Sequence, residues 1–222
     1  MKLYAIIAAG GSGQRMGTTT PKQFLLLNGK PVLWHSVNRF LSTFPDIEVI
    51  VVVPAAHLQQ AGEICSEFPS VKLVEGGSSR FQSVKNGLQH VKHPSIVFVH
   101  DAVRCLVSAD LLQRCCKQAI DKGSAIPAVP VTDSLRMISE GSHEVIDRNK
   151  IRNIQTPQVF RSEIILPAFN VDENPSFTDE ATVVEANGST VALIEGEASN
   201  IKITTPADLQ LAAAFLAASP LQ

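Results

Sequence analysis

Short apolar runs rich in β-branched residues recur along the chain, and stretches of helical periodicity separate them. The runs are Leu3–Ala8, Val49–Val53, Val71–Val74, Ile96–Val99, Ala125–Val131 and Thr190–Ile194, with a shorter Ile201–Ile203. Runs without polar alternation are what strands covered on both faces require. Between them, apolar residues repeat with helical spacing over Val32–Leu41, His57–Phe68, Ser79–Val91, Ala109–Ile120, Asp179–Ala186 and Pro206–Ala217. This alternation predicts an α/β chain built on a mostly parallel, twisted sheet with helices on both faces. At 222 residues, 45% hydrophobic and 18% charged, the chain has enough apolar surface to bury such a core, and residues 1–222 are expected to form one domain.

One segment departs from this pattern. Between Ser134 and Arg148 lie two short alternating runs, Leu135-Arg136-Met137-Ile138 and Glu144-Val145-Ile146, separated by the turn signal Glu140-Gly141-Ser142. The segment is too short and too polar for a core of its own. It is therefore expected to be a projecting β-hairpin, an arm spanning residues 132–153.

A formal net charge of −2 creates no field that draws the chain onto nucleic acid or an anionic membrane, so an anionic ligand must be held by local cations. The longest N-terminal apolar run, Leu3–Ala9, is too short to span a bilayer or to serve as a secretory core, and a cytoplasmic enzyme is expected. Cys65, Cys105, Cys115 and Cys116 show neither a Cys-x-x-Cys pair nor a histidine at metal-ligand spacing, which favours free, partly buried thiols.

The segment Ala8-Ala9-Gly10-Gly11-Ser12-Gly13-Gln14-Arg15-Met16-Gly17 follows the first strand directly and leads into Pro21-Lys22-Gln23. Glycines let backbone N–H groups approach phosphate oxygens, and Arg15 and Lys22 supply charge, the outline of a triphosphate cradle. A dinucleotide fingerprint would need a glycine where Met16 stands, and Pro54-Ala55-Ala56 carries no ribose-binding acid. A P-loop would place its lysine directly against the loop, whereas Lys22 follows a proline well beyond Gly13.

Gly-x-Gly-x-Arg-Met followed by Pro-Lys-Gln resembles the nucleotidyltransferases of glycosyltransferase-A-like fold, and specifically the 2-C-methyl-D-erythritol 4-phosphate cytidylyltransferases. The resemblance continues through Gly76-Gly77-Ser78-Ser79-Arg80-Phe81-Gln82-Ser83-Val84, Val99-His100-Asp101-Ala102-Val103-Arg104, Asp147-Arg148-Asn149, Thr156-Pro157-Gln158, Thr178-Asp179-Glu180-Ala181 and Asn200-Ile201-Lys202. Several motifs in order are far more specific than any one alone.

The resemblance implies that CTP is bound by Ala9, Gly10, Gly11, Gly13, Arg15 and Lys22, with the triphosphate over Gly11 to Arg15 and Lys22 reaching the phosphates, and that Gly76, Gly77, Ser78, Ser83 and Ala102 meet cytosine and ribose. It places Asp101 at the reaction centre beside a divalent metal, Mg²⁺ held mainly by phosphates, with Arg15, Lys22, Asp101 and Lys202 as the catalytic set. Arg104, Ser134, Arg148, Thr156, Thr178 and Lys202 would bind the acceptor. Taken singly, these residues have plainer readings: Gly76-Gly77 as a strand-to-helix turn, Asp101 as a helix cap, the cations as solvated surface charge. Three positions depart from the family pattern. The cradle opens on Ala8-Ala9, Cys105 stands where proline is usual, and Ser134 replaces threonine but keeps the hydroxyl.

The chemistry implied is an in-line displacement at the α-phosphorus of CTP by the acceptor phosphate, with loss of pyrophosphate. A D-ribitol 5-phosphate cytidylyltransferase is the near alternative, and a non-catalytic nucleotide-binding protein of the same fold the distant one. The resemblance also implies a homodimer in which the arm reaches the partner's site.

Overall fold

The computed structural model describes residues 1–11 and 20–218. In chain order it contains β1 (Lys2–Ala8), β2 (Leu26–Leu27), β3 (Lys30–Pro31), α1 (Val32–Thr43), β4 (Glu48–Val53), α2 (Leu58–Cys65), β5 (Lys72–Glu75) and α3 (Arg80–Leu88). There follow β6 (Ser95–Asp101), α4 (Ala109–Lys122), β7 (Ser124–Pro130), β8 (Leu135–Ser139), β9 (Ser142–Ile146), β10 (Arg152–Ile154) and β11 (Gln158–Arg161). The chain ends with α5 (Ser162–Ala168), α6 (Glu180–Ala186), β12 (Leu193–Glu195) and α7 (Pro206–Ala218).

The main sheet has eight strands, in the order β10-β7-β11-β6-β1-β4-β5, with β12 paired to β7. β6, β1, β4 and β5 run parallel, while β11 is antiparallel to both β6 and β7. The expected mostly parallel sheet is present, and strand periodicity explains its double cover. Along β1, Ala5 and Ile7 face α1, α2 and α4, while Tyr4 and Ile6 face α3, α5 and α6. Burying a side chain such as Phe98 or Phe160 contributes roughly 1.5–3 kcal/mol, and both are fully enclosed. A smaller cluster seats α7 on Leu27, Val32, Val103 and Ile203.

The helix ends follow their sequences. Ser79 caps α3 by accepting from the Gln82 N–H, Ser108 caps α4 by accepting from the Leu111 N–H, and Gly123 closes α4 at φ 88°. β8 and β9 form the expected hairpin, turning at Glu140-Gly141 with Gly141 at φ 73°, where glycine avoids the steric cost of a side chain.

Two strand expectations need correction. Ile201–Ile203 is not a strand: the Ile203 N–H makes one bond to Val103 O at 2.9 Å, and its side chain is buried in the α7 cluster rather than in a ladder. Of Thr190–Ile194 only the end pairs, as β12. Among the described residues no helix is long and apolar enough to cross a membrane.

Candidate active site

β1, β4, β5 and β6 all end at the same edge of the sheet, the edge at which open α/β sheets bind ligands. A cavity of about 310 Å³ lies there, reached by Ala8 and Ala9 after β1, Pro54 after β4, Gly77 after β5 and Asp101 at the end of β6. Gly10, Gly11 and Lys22 line one side, Ser78, Ser79 and Arg80 another, and Lys202 a third. Lys22 begins a single 3-10 turn, Lys22–Phe24, and its side chain is buried. Gln23 fastens that turn to β1 by donating Nε2–H to Ala9 O at 2.8 Å.

The segment after β5 is shaped around missing side chains. A Cβ on Gly77 would fall 2.1 Å from Gln82 Cγ and 2.5 Å from Gln82 Cβ, and one on Gly76 would fall 3.0 Å from Ser83 Oγ. Ser83 organises the turn: its hydroxyl donates to Ser79 O at 2.7 Å and accepts the Gly77 N–H at 3.1 Å. Ser83 therefore lines the cavity with a hydroxyl already committed to the loop. Ala102 is fully buried, with its N–H on Ala8 O and its carbonyl accepting from Ser36.

Asp101 is not a helix cap. It ends β6, in register with Ala8, and three cations surround its carboxylate. Lys202 Nζ lies 2.8 Å from Oδ2, Arg80 Nη2 3.2 Å from Oδ1, and Arg104 Nε 3.9 Å from Oδ2. Burial pushes the Asp101 carboxyl up, but Arg80, Lys202 and Arg104 pull it further the other way, to well below the usual carboxylate range. Beneath it, Thr156 Oγ1 accepts the Asp101 N–H at 3.0 Å and meets His100 Nδ1 at 3.1 Å. His100 Nε2 faces Arg104 O at 3.2 Å. A carbonyl only accepts, so the proton sits on Nε2 and the Thr156 hydroxyl donates to Nδ1. Burial lowers the His100 pKa to about 4.

Of the proposed acceptor residues, Lys202 borders the cavity, while Arg104 and Thr156 lie against Asp101. Arg104 is further held by Asn200 O at 2.9 Å. Thr178 is exposed just before α6, and Ser134 and Arg148 are exposed at the foot of the hairpin, where Arg148 bonds Thr132 O. Gly13 and Arg15 lie outside the described residues. Cys105, in the position of the usual proline, is buried in the α7 cluster and its thiol is pushed up to about 12, so it fills space rather than reacts. All four cysteines are free and buried.

The sequence reading left two charged neighbours unassigned. Arg80 bridges Asp101 to Glu180, with Nη2 3.1 Å from Glu180 Oε2. Both residues stand inside the quoted motifs, and the signal was available in a cation closing a glycine-serine turn and an acid following Thr178-Asp179. Among the described residues no three His, Cys, Asp or Glu side chains converge as a metal cage.

The sequence pattern of the family described as 2-C-methyl-D-erythritol 4-phosphate cytidylyltransferase matches residues 3–218. The chain belongs to this family. It is 46% identical over 220 residues to the 2-C-methyl-D-erythritol 4-phosphate cytidylyltransferase of Porphyromonas gingivalis, covering 97% of this chain and 98% of that one. The enzyme of the same description from Bacteroides thetaiotaomicron is 43% identical over 219 residues, covering 97% of this chain and all of the relative. Among solved structures, the Thermus thermophilus 2-C-methyl-D-erythritol 4-phosphate cytidylyltransferase superposes with a TM-score of 0.75 at 33% identity, covering 97% of this chain and 98% of that one. A 4-diphosphocytidyl-2C-methyl-D-erythritol synthase superposes at 0.82 with 31% identity, again covering 97% and 98%. The cavity and the Asp101–Lys202 pair on its wall are where the cytidylyltransferase motifs of the sequence converge in this chain.

Proposed function

We propose that the chain transfers the cytidylyl group of CTP to the phosphate of 2-C-methyl-D-erythritol 4-phosphate, giving 4-diphosphocytidyl-2-C-methyl-D-erythritol and pyrophosphate, a step of isoprenoid precursor synthesis. The observation that carries this reading is the meeting, at one edge of the sheet, of a glycine-shaped nucleotide cavity with Lys22, Asp101 and Lys202. A phosphate oxygen of the acceptor attacks the α-phosphorus of CTP, and the bond to the β-phosphate breaks as pyrophosphate leaves. The nucleophile is already anionic, so no side chain has to remove a proton. Catalysis then rests on alignment and on cations placed where charge develops, the role assigned to Lys22, Lys202 and, from the sequence, Arg15.

Mg²⁺ is read into this site with Asp101 as its protein ligand. With a single carboxylate among the described residues that border the cavity, Asp101 would give it one oxygen and the triphosphate the rest, the usual arrangement for an ion that keeps few protein ligands. When bound it would neutralise phosphate charge.

Residues 1–222 are read as one nucleotidyltransferase domain with residues 132–153 as a dimerisation arm. Met137, Ile138 and Val145 on the hairpin are 50%, 75% and 72% exposed, and an isolated two-stranded ribbon is marginally stable in water. These exposed apolar side chains support the homodimer reading, in which a second copy would cover the ribbon and Arg148 would reach the partner's acceptor. Free cysteines and a nucleoside triphosphate substrate support a cytoplasmic workplace.

The test is ³¹P NMR of a reaction containing CTP, Mg²⁺ and 2-C-methyl-D-erythritol 4-phosphate. A new diphosphate diester together with pyrophosphate is expected. Pyrophosphate formed equally without acceptor would indicate plain CTP hydrolysis and reject the transfer.

A further inference from the structure

Glu180 opens α6 with its side chain only 1% exposed. A carboxylate so enclosed is costly unless it is paired and hydrogen-bonded. Glu180 gives both oxygens to one guanidinium, Oε1 meeting Arg80 Nη1 and Oε2 meeting Nη2 at 3.1 Å. The same Nη2 donates to Asp101 Oδ1 at 3.2 Å. Arg80 closes the segment that lines the cavity, and Glu180 follows Asp179 and Thr178, an acceptor residue by the family resemblance, so this pair ties the Gly77–Arg80 side of the cavity to the Thr178 segment. A second contact runs alongside it: the Phe81 ring lies 5.7 Å from Phe177. From β11, Gln158 donates to Asp179 Oδ2 at 2.8 Å and accepts the Ala181 N–H at 2.7 Å, which fixes the start of α6.

We propose that Glu180 is a positioning residue for the transfer: through Arg80 it holds Asp101 at the reacting end of the cavity and keeps the Thr178 segment in register with the nucleotide. The proposal rests on the cytidylyl-transfer reading. Glutamine in place of Glu180 keeps the shape and removes the charge. Among the described residues of this network, Arg80 then has Asp101 as its sole ionic partner, in competition with Lys202, and the reacting groups shift. A displacement of about 1 Å at such a site can cost on the order of 10²-fold in rate.

Steady-state kinetics with CTP, Mg²⁺ and the methylerythritol phosphate acceptor test this on wild type, Glu180→Gln, Glu180→Asp, Arg80→Met and Glu180→Gln/Arg80→Met. In Glu180→Gln, kcat should fall by at least about tenfold while KM for CTP stays within about twofold, a split that general loosening of the fold would not give. Glu180→Asp should recover part of the loss because the charge returns. In the Arg80→Met background, Glu180→Gln should lower kcat no further, since one residue acts through the other. Should Arg80→Met not fold, Arg80→Gln, likewise uncharged, takes its place. Wild-type kcat in Glu180→Gln, or losses that multiply in the double variant, would overturn the proposal. A wild-type protein that makes no product would remove the transfer reading and this proposal together.

Discussion

Lys202 Nζ lies 2.8 Å from Asp101 Oδ2, joining the end of β6 to the segment that leads into α7. Asp101 is the counter-charge for Arg80 and Arg104 as well, so one carboxylate holds three cations at this end of the cavity. Asp101→Asn should therefore damage both turnover and the fold. Loss of a preorganised charge contact typically costs ~10²-fold or more in kcat. Leaving the cations uncompensated should cost about 2 kcal/mol, less than a fully buried pair because Lys202 reaches solvent, which lowers Tm by roughly 4–8 °C in a chain of this size. Kinetics beside a thermal melt check both effects. An unchanged Tm would show that the cations do not depend on Asp101.

Gly77→Ala should act on nucleotide binding. Its Cβ would overlap Gln82 Cγ at 2.1 Å and Gln82 Cβ at 2.5 Å, and Gln82 Cβ is fixed to the first turn of α3. The turn must open, losing the Gly77 N–H bond to Ser83. Calorimetric titration should show CTP binding weakened about tenfold or more, the equivalent of one lost hydrogen bond to a structured loop. Binding of wild-type strength would mean that the nucleotide does not use this turn.

His100 should make stability depend on pH. Its folded pKa of about 4 lies below the unfolded value of about 6.5, so the unfolded chain binds more protons between these values. Stability from this residue is therefore complete above pH 6.5 and is lost as the pH falls towards 4. Asp101 does not counter this, because its depressed carboxyl stays ionised across that window. His100→Gln should be less stable than wild type at pH 7.5, and the gap should narrow by about 2 kcal/mol at pH 5. Chemical denaturation at both pH values measures it. A gap independent of pH would place a charged imidazole in the folded protein.

The sheet was legible where strands are covered on both faces. β1, β4 and β6 read as unbroken apolar runs because α1, α2 and α4 cover one side and α3, α5 and α6 the other. β10 and β11 were not foreseen: Arg152-Asn153-Ile154 is short and polar, and Gln158 at the start of β11 serves α6 rather than a core. Ile201–Ile203 misled in the opposite sense, since apolar content there signals packing under α7. That Lys22, Asp101 and Lys202 would border one cavity was legible because the family motifs carry them. Arg80 and Glu180 stand 100 residues apart, and a charge has no role until folding decides what it meets.

The dimer reading predicts complementation. Lys22→Ala should lose ~10²-fold in kcat as a missing phosphate contact, and Arg148→Ala should lose acceptor binding in the partner's site. Mixing the two proteins should recover part of the wild-type activity, because one site in each mixed dimer receives both intact residues. Ile138→Asp, which places a charge on the 75% exposed tip of the arm, should shift light scattering towards monomer. A monomeric wild type, or mixed dimers without recovered activity, would rule out the shared site.

The most direct measurement is kcat/KM for pyrophosphate release across a panel of acceptors and nucleotides. With CTP and Mg²⁺, 2-C-methyl-D-erythritol 4-phosphate should exceed D-ribitol 5-phosphate by at least about 100-fold, and ATP or GTP in place of CTP should give little turnover, if the Gly76-Gly77 turn reads the base as the family resemblance implies. Equal or faster turnover with ribitol phosphate would contradict the acceptor, and equal turnover with purine nucleotides would contradict the cytidylyl donor.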